Sequence, residues 1–180
     1  MPNTETKISG EYSYKAHIFD LEIDRVKLPD GKEAFRDVIR HPGACCVVPL
    51  TDDNEVICVK QFRYPFLTET LEIPAGKLDK RDGETPLSCA ERELKEETGA
   101  LAGRIEFIGE YWSSPAILDE RIYMYLARDL SFGEMSPDED EFIDVVKLPL
   151  KKLVDMVMNG EITDGKTQTA LLKTALILGK

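Results

Sequence analysis

The stretch GKLDKRDGETPLSCAERELKEETGA, running from Gly76 to Ala100, decides how the rest of the chain is read. Its second half predicts a helix over Pro86 to Thr98. Thr85 suits the N-cap, since its hydroxyl can accept an N–H that the first turn leaves unpaired. Pro86 suits the first helical position, and Gly99 suits the left-handed residue that ends a helix. At ~100° per residue, Glu97 lies about 40° from Glu93 on one side and Glu96 about 60° on the other. Leu87, Ala90 and Leu94 fall on the adjacent flank, expected to face the core. Three carboxylates therefore crowd one arc beside the buried edge. Like charges at these spacings cost a few tenths of a kcal/mol each when exposed and more when partly buried. Bound divalent cations reverse that cost. Carboxylate oxygens suit Mg²⁺, which takes few protein ligands and completes its shell with water and phosphate oxygens. Arg92 reaches Glu96 one turn on and can bridge back to Glu84. An acidic helix face in an acidic protein also reads as plain solvated surface, so the crowding alone does not decide between the two.

Outward from this helix, Ala44–Leu50 and Val56–Phe62 are β-rich runs. Asp52-Asp53-Asn54 between them predicts a hairpin. Residues 1–10 read as a loose tail. Tyr12–Leu28 alternates well enough for one or two strands, Pro29-Asp30-Gly31 is a turn, and Glu33–Arg40 can return as a partner strand. His41-Pro42-Gly43 breaks that strand. Beyond the helix, Arg104–Trp112 and Arg121–Arg128 are strand candidates, Ser136–Glu141 is an acidic loop, and Phe142–Val146 is a short strand. Leu150–Asn159 and Lys166–Leu178 read as terminal helices. The expectation is an α+β chain: residues 1–43 as an N-terminal antiparallel strand extension, residues 44–180 as a mixed β-sheet sandwiched between helices.

The 180 residues carry 34 acidic and 23 basic side chains, a formal charge of −11. Such a chain is a poor nonspecific binder of nucleic acid or anionic membrane. A polyanionic substrate would need local arginines, lysines or metal ions. No apolar run approaches the ~20 residues of a membrane span, and MPNTETKISG lacks the basic and apolar regions of a signal peptide. Cys45, Cys46, Cys58 and Cys89 form no C-x-x-C pair, which favours free thiols in a reducing cytoplasm.

The spacing E-x₇-R-E-L-x-E-E-x-G, met by Glu84, Arg92, Glu93, Leu94, Glu96, Glu97 and Gly99, is the core of the Nudix box, and the chain resembles a Nudix hydrolase. The family's first glycine stands six positions before its first glutamate, whereas Gly76 stands eight before Glu84. Either the loop Asp79–Asp82 carries a two-residue insertion, or Leu78 occupies the glycine position. The runs RDVIRHPGACCVVPL, VKQFRYPF and LEIPAGKLD resemble the ADP-ribose pyrophosphatase branch. So do Ser114-Pro115, DEDEFI at 138–143 and the following GEITDGKT. Ala116 where the branch has glycine, the apolar Ile117-Leu118, and Ala16 in the N-terminal turn depart from it.

The resemblance implies hydrolysis of ADP-ribose to AMP and ribose 5-phosphate with Mg²⁺, or Mn²⁺ in its place, by a homodimer that exchanges its N-terminal strands. Glu93, Glu96 and Glu97, with the Ala75 carbonyl, are the implied metal ligands, and Glu93 and Glu97 the foremost. Glu141 is an implied extra ligand and Glu139 the implied general base. Gly76, Glu84, Arg92 and Gly99 are structural members of the box. Glu120 matches a ribose-contacting position. Arg36 and Arg63 are candidates for holding phosphate or ribose oxygens, because arginine offers forked donors. Phe19 is a candidate for stacking on the base. Alternatives are a Nudix hydrolase of an ADP-sugar, GDP-mannose, FAD or NADH, and a noncatalytic nucleotide-binding regulator. A further rival is a P-loop NTPase, since Gly160–Thr167 matches G-x-x-x-x-G-K-[ST]. That match follows a helix instead of a strand and includes Glu161 and Asp164, so it reads as a helix-to-helix turn.

Overall fold

The elements follow one another as β1 (Thr6–Lys15), β2 (Asp20–Lys27), β3 (Glu33–Arg40), β4 (Ala44–Pro49), β5 (Glu55–Arg63), a short 3₁₀ turn (Tyr64–Phe66), β6 (Thr68–Glu72), β7 (Ala75–Lys77), α1 (Pro86–Thr98), β8 (Ala100–Tyr111), β9 (Ile122–Phe132), β10 (Asp144–Pro149), α2 (Leu150–Met158) and α3 (Gly165–Ile177). The structure is a computed structural model that describes residues 3–79, 83–137 and 141–179. The chain divides into two units: Met1–Gly43 with Trp112–Arg121, and Ala44–Tyr111 with Ile122–Lys180.

The larger unit is built round β4 and β5, whose apolar runs are buried on both faces. Such runs belong in sheets covered on both sides. β4 lies between β7, antiparallel, and β9, parallel, and β8 closes the sheet antiparallel to β9. A second sheet, β10-β5-β6, is antiparallel throughout. Alternation along β4 divides the core. Cys45 and Val47 pack with Cys89, Ala90 and Leu94 of α1. Cys46 and Val48 pack with Leu153 of α2 and Leu171 of α3. Helices therefore cover both faces, and the fold is α+β with mixed sheets, as the sequence predicts.

The hairpin expected at Asp52–Asn54 does not form. The turn is present, closed by Thr51 N–H to Glu55 O at 2.9 Å, but it joins two different sheets. Both edges of β4 are already taken by β7 and β9, so β5 shares only the single bridge Leu50–Val56 with that run.

In the smaller unit, β1-β2-β3 form an antiparallel sheet. β1 begins at Thr6, inside the segment read as a tail. It is exposed along nearly all its length, so it lacks the alternating burial that marks a strand in sequence. Its antiparallel ladder with β2 holds it, and Lys7 Nζ lies 2.6 Å from the buried Asp24 of that strand.

One carboxylate in the larger unit is buried and fully engaged. Glu72, at the end of β6, accepts from Arg63 Nε at 2.7 Å, Arg63 Nη2 at 2.6 Å, Thr70 Oγ1 at 2.7 Å, and Lys166 Nζ. Burial works to raise its pKa, but Arg63 and Lys166 outweigh burial and hold it at about 2. A carboxylate whose pKa falls on folding stabilises the protein above its ordinary pKa, and that stability is lost as pH drops through the folded value. From 4.5 to about 2 the shift corresponds to on the order of 3 kcal/mol. Glu72→Gln is expected to lower unfolding free energy by about that amount at pH 7, with the gap closing between pH 4.5 and pH 2. Urea melts at pH 7, 4 and 2 measure it, and a gap independent of pH would contradict the assignment.

Candidate active site

Local signals build α1 as the sequence predicts. Thr85 Oγ1 accepts from Ser88 N–H at 3.1 Å while Thr85 N–H donates to Ser88 Oγ at 3.0 Å, a reciprocal cap. Gly99 ends the helix at φ +69°, and a Cβ there would stand 2.6 Å from the Gly133 carbonyl oxygen. The buried face differs from the one read by periodicity. Leu87 in the first turn is exposed, and Cys89 takes the core position expected of it. Ala90 and Leu94 are buried as expected, and so are Glu93 and Glu97, which continue the one-turn row from Cys89.

The Arg92 guanidinium organises this acidic face. Nε and Nη2 donate to the two oxygens of Glu84 at 2.7 and 3.2 Å. Nη1 donates to Glu93 Oε1 at 2.7 Å and to Glu96 Oε2 at 2.8 Å. Nη2 also reaches the Lys77 carbonyl at 3.2 Å. Glu84 in turn accepts from Asp79 N–H at 2.8 Å, which closes the loop ahead of the helix. The hydrogen bond from Arg92 holds the Glu84 carboxyl below its ordinary pKa. Lys80 to Asp82, where the two-residue insertion is expected, lie outside the described residues.

Gly76 meets this arrangement by close approach. A Cβ on it would sit 1.8 Å from Glu93 Oε1 and 1.9 Å from Cδ. Leu78, the alternative glycine position, is a buried core residue beside α1. One residue earlier, Ala75 N–H donates to Glu97 Oε2 at 3.2 Å. β7 thus carries Ala75 to Glu97 and Gly76 to Glu93.

The electrostatics are those of under-neutralised charge. Burial pushes Glu93 up to about 7 against the pull of Arg92, and Glu96 and Glu141 add to the rise. Burial pushes Glu97 up to about 8, helped by Glu93 and Glu141. The exposed Glu141 therefore bears on both buried carboxylates. Among the described residues, no three His, Cys, Asp or Glu side chains converge on one point as they stand. The chemistry of the set nevertheless fits a hard divalent cation. Every donor is an oxygen, and a cation favours the ionised form that burial, and secondarily the neighbouring carboxylates, disfavour.

The other sequence candidates divide between the units. Arg63, at the end of β5, is in the larger unit and is forked onto Glu72. Arg36, Glu120 and Phe19 belong to the smaller unit. Arg36 engages Glu5 through Nε at 2.9 Å and Nη2 at 2.5 Å. Glu120 accepts from Ser113 Oγ at 2.9 Å and lies 3.3 Å from His41 Nδ1. Phe19 is half-buried in the β1–β2 turn. Glu139 lies outside the described residues. Glu72 gives no signal in the sequence, because β6 is too short to show periodicity, and Lys166 and Thr167 stand inside the P-loop-like match, which points to a different chemistry.

A family model described as the NUDIX domain matches residues 39–167. The chain is 40% identical over 178 residues to an ADP-ribose pyrophosphatase of Bacillus subtilis (strain 168), covering 96% of this chain and 95% of that protein. It is 38% identical over 169 residues to a methanol dehydrogenase activator of Bacillus methanolicus, covering 93% and 90% respectively. A solved ADP compounds hydrolase shares the fold, with a TM-score of 0.85 at 22% identity over 98% of this chain and 95% of that one.

Gly76→Ala is expected to displace the Glu93 carboxylate from Arg92 Nη1, because the new methyl occupies its place. A loss of at least ~100-fold in turnover, with a cooperative melt retained, is the expected result in steady-state and thermal assays.

Proposed function

The chain belongs to the Nudix family, and we propose that within it the protein hydrolyses the diphosphate linkage of a nucleoside diphosphate sugar, ADP-ribose foremost, to AMP and ribose 5-phosphate. The observation that carries this reading is the Arg92 clamp, which presents buried Glu93 and Glu97 beside Ala75 and Gly76. Nudix hydrolases generally use divalent metal ions. We assign Mg²⁺, with Mn²⁺ as a substitute, to Glu93, Glu96, Glu97, Glu141 and the Ala75 carbonyl. When bound, the ion neutralises charge on the diphosphate and makes water easier to deprotonate. Glu139 is assigned as the base that takes the proton of the attacking water. Arg63, braced by Glu72, and Arg36 are assigned to phosphate or ribose oxygens, Glu120 to ribose hydroxyls and Phe19 to the base. A noncatalytic binder has no use for two buried, mutually repelling carboxylates.

The smaller unit supports a homodimer with exchanged N-terminal strands. Its sheet exposes Ile8, Tyr12, Tyr14 and Phe35. A three-stranded sheet with so many large apolar groups in water is poorly stabilised by itself. We place the protein in the cytoplasm, a reading supported by four free, buried cysteines. Among the described residues, no helix is long and apolar enough to cross a membrane.

The test is hydrolysis across ADP-ribose, ADP-glucose, GDP-mannose, FAD, NADH and diadenosine polyphosphates, with and without Mg²⁺. Glu97→Gln is expected to cut turnover by orders of magnitude while the metal-free protein melts no lower, since repulsion is relieved. Glu139→Gln is expected to lower kcat at unchanged metal requirement, and Glu141→Gln to raise the Mg²⁺ requirement. Normal turnover of Glu97→Gln at saturating Mg²⁺ refutes the ligand assignment, and rescue of Glu139→Gln by extra Mg²⁺ refutes the base.

Deleting residues 1–28 is expected to give a monomer or insoluble protein with weakened substrate binding, as read by gel filtration and KM. A soluble, active dimer after that deletion rules out strand exchange.

A further inference from the structure

The P-loop-like segment Gly160–Thr167 is no phosphate cradle. Asp164 is the N-cap of α3, accepting from Thr167 N–H at 2.9 Å, and Gly160 has the positive φ of a helix-ending residue. Its two most distinctive residues are nonetheless buried against functional elements. Thr167 is fully buried, and its Oγ1 accepts from Ile73 N–H at 3.1 Å, across 94 positions of chain. Lys166 has a side chain only 11% exposed, and its ammonium pairs with Glu72 and, at 3.1 Å, with Asp164.

These contacts fall on the segment that delivers β7 to α1. Ile73 N–H is held by Thr167. The Pro74 carbonyl accepts from Val47 N–H at 2.9 Å. Ala75 N–H donates to Glu97 at 3.2 Å, and Gly76 lies against Glu93. Pro74 has no N–H, so Thr167 holds the last donor before Ala75. Glu72, the next residue back, holds Arg63 through both Nε and Nη2, and Lys166 shares its carboxylate.

We propose that Thr167 and Lys166 are positioning residues for the hydrolytic site. Thr167 sets the path of Ile73-Pro74-Ala75, so that the Ala75 peptide meets Glu97 at the right height for both to face the ion. Lys166 fixes the Glu72 carboxylate and through it the orientation of Arg63 toward substrate. The two residues thus act on different quantities: Thr167 on metal affinity and kcat, Lys166 on KM. The inference rests on the function proposed above, and Mn²⁺ binding in the absence of substrate separates its failure from that of the function.

Mn²⁺ affinity is measured by calorimetry for the wild type, Thr167→Val and Thr167→Ser, beside ADP-ribose kinetics and thermal melts. Thr167→Val keeps the shape and loses the acceptor, whereas Thr167→Ser keeps the acceptor. The expected result is about tenfold weaker Mn²⁺ binding and a similar fall in kcat for Thr167→Val, with KM within about twofold. Thr167→Ser should restore both to within about twofold. Lys166→Met is expected to raise KM for ADP-ribose about tenfold with kcat nearly unchanged, and to show no additional loss when combined with Arg63→Ala. Wild-type Mn²⁺ affinity in Thr167→Val, or failure of Thr167→Ser to restore it, overturns the proposal. So does loss of fold in both Thr167→Val and Lys166→Met, which marks a purely structural role. If the wild type binds Mn²⁺ but cleaves no diphosphate in the panel, the proposed function fails, and the Mn²⁺ affinities alone decide the role of Thr167.

Discussion

A single guanidinium holds the acidic face together. Arg92 spends its donors on Glu84 before the helix, on Glu93 and Glu96 within it, and on the Lys77 carbonyl of β7. It therefore ties three chain segments at one point. A lysine cannot substitute, because an ammonium has three donors on a single atom and no planar fork to span two carboxylates. The position of Glu93 follows from this clamp, and so does the need for glycine at position 76, where the carboxylate leaves no space for a Cβ.

The larger unit buries carboxylates in two ways, with opposite consequences. Glu72 receives two cations and a hydroxyl, and its pKa falls to about 2. Glu97 receives a backbone N–H and faces Glu93 and Glu141, and its pKa rises to about 8. Burial opposes ionisation in both, so the difference lies in the partners. The first arrangement stabilises the fold by itself. In the second, burial and neighbouring carboxylates disfavour the charged form, a cost that a nearby cation would relieve. The two carboxylates are thus told apart by what surrounds them, though both are almost inaccessible to water.

α1 was legible because its signals are local. Thr85, Pro86 and Gly99 act within one turn, and the spacing of Glu93, Glu96 and Glu97 puts them on one arc whatever the rest of the chain does. The buried runs of β4 and β5 were legible for the same reason. Their pairing was not. Asp52-Asp53-Asn54 is a good turn, but whether a turn closes a hairpin depends on which strand edges remain open, and β7 and β9 had taken both edges of β4. The second half of β1 falls within the run Tyr12–Leu28 that reads as strand; its first half, inside the segment read as a tail, gives no signal because it pairs with β2 without alternating burial.

The sequence by itself therefore determined the α+β class, the helix with its carboxylate arc, and membership of the Nudix family, all of which rest on residues at short, fixed spacings. The bridges from Arg92 to Glu96 and Glu84 were also legible, but tertiary structure alone decided what Glu93 and Glu97 meet on β7. Gly76 against Glu93, Ala75 on Glu97 and Thr167 on Ile73 join residues between 17 and 94 positions apart. No local propensity encodes such contacts. They arise because β4 draws β7 to its edge and α1 and α3 to its opposite faces, and the polar groups brought inside must then find partners there.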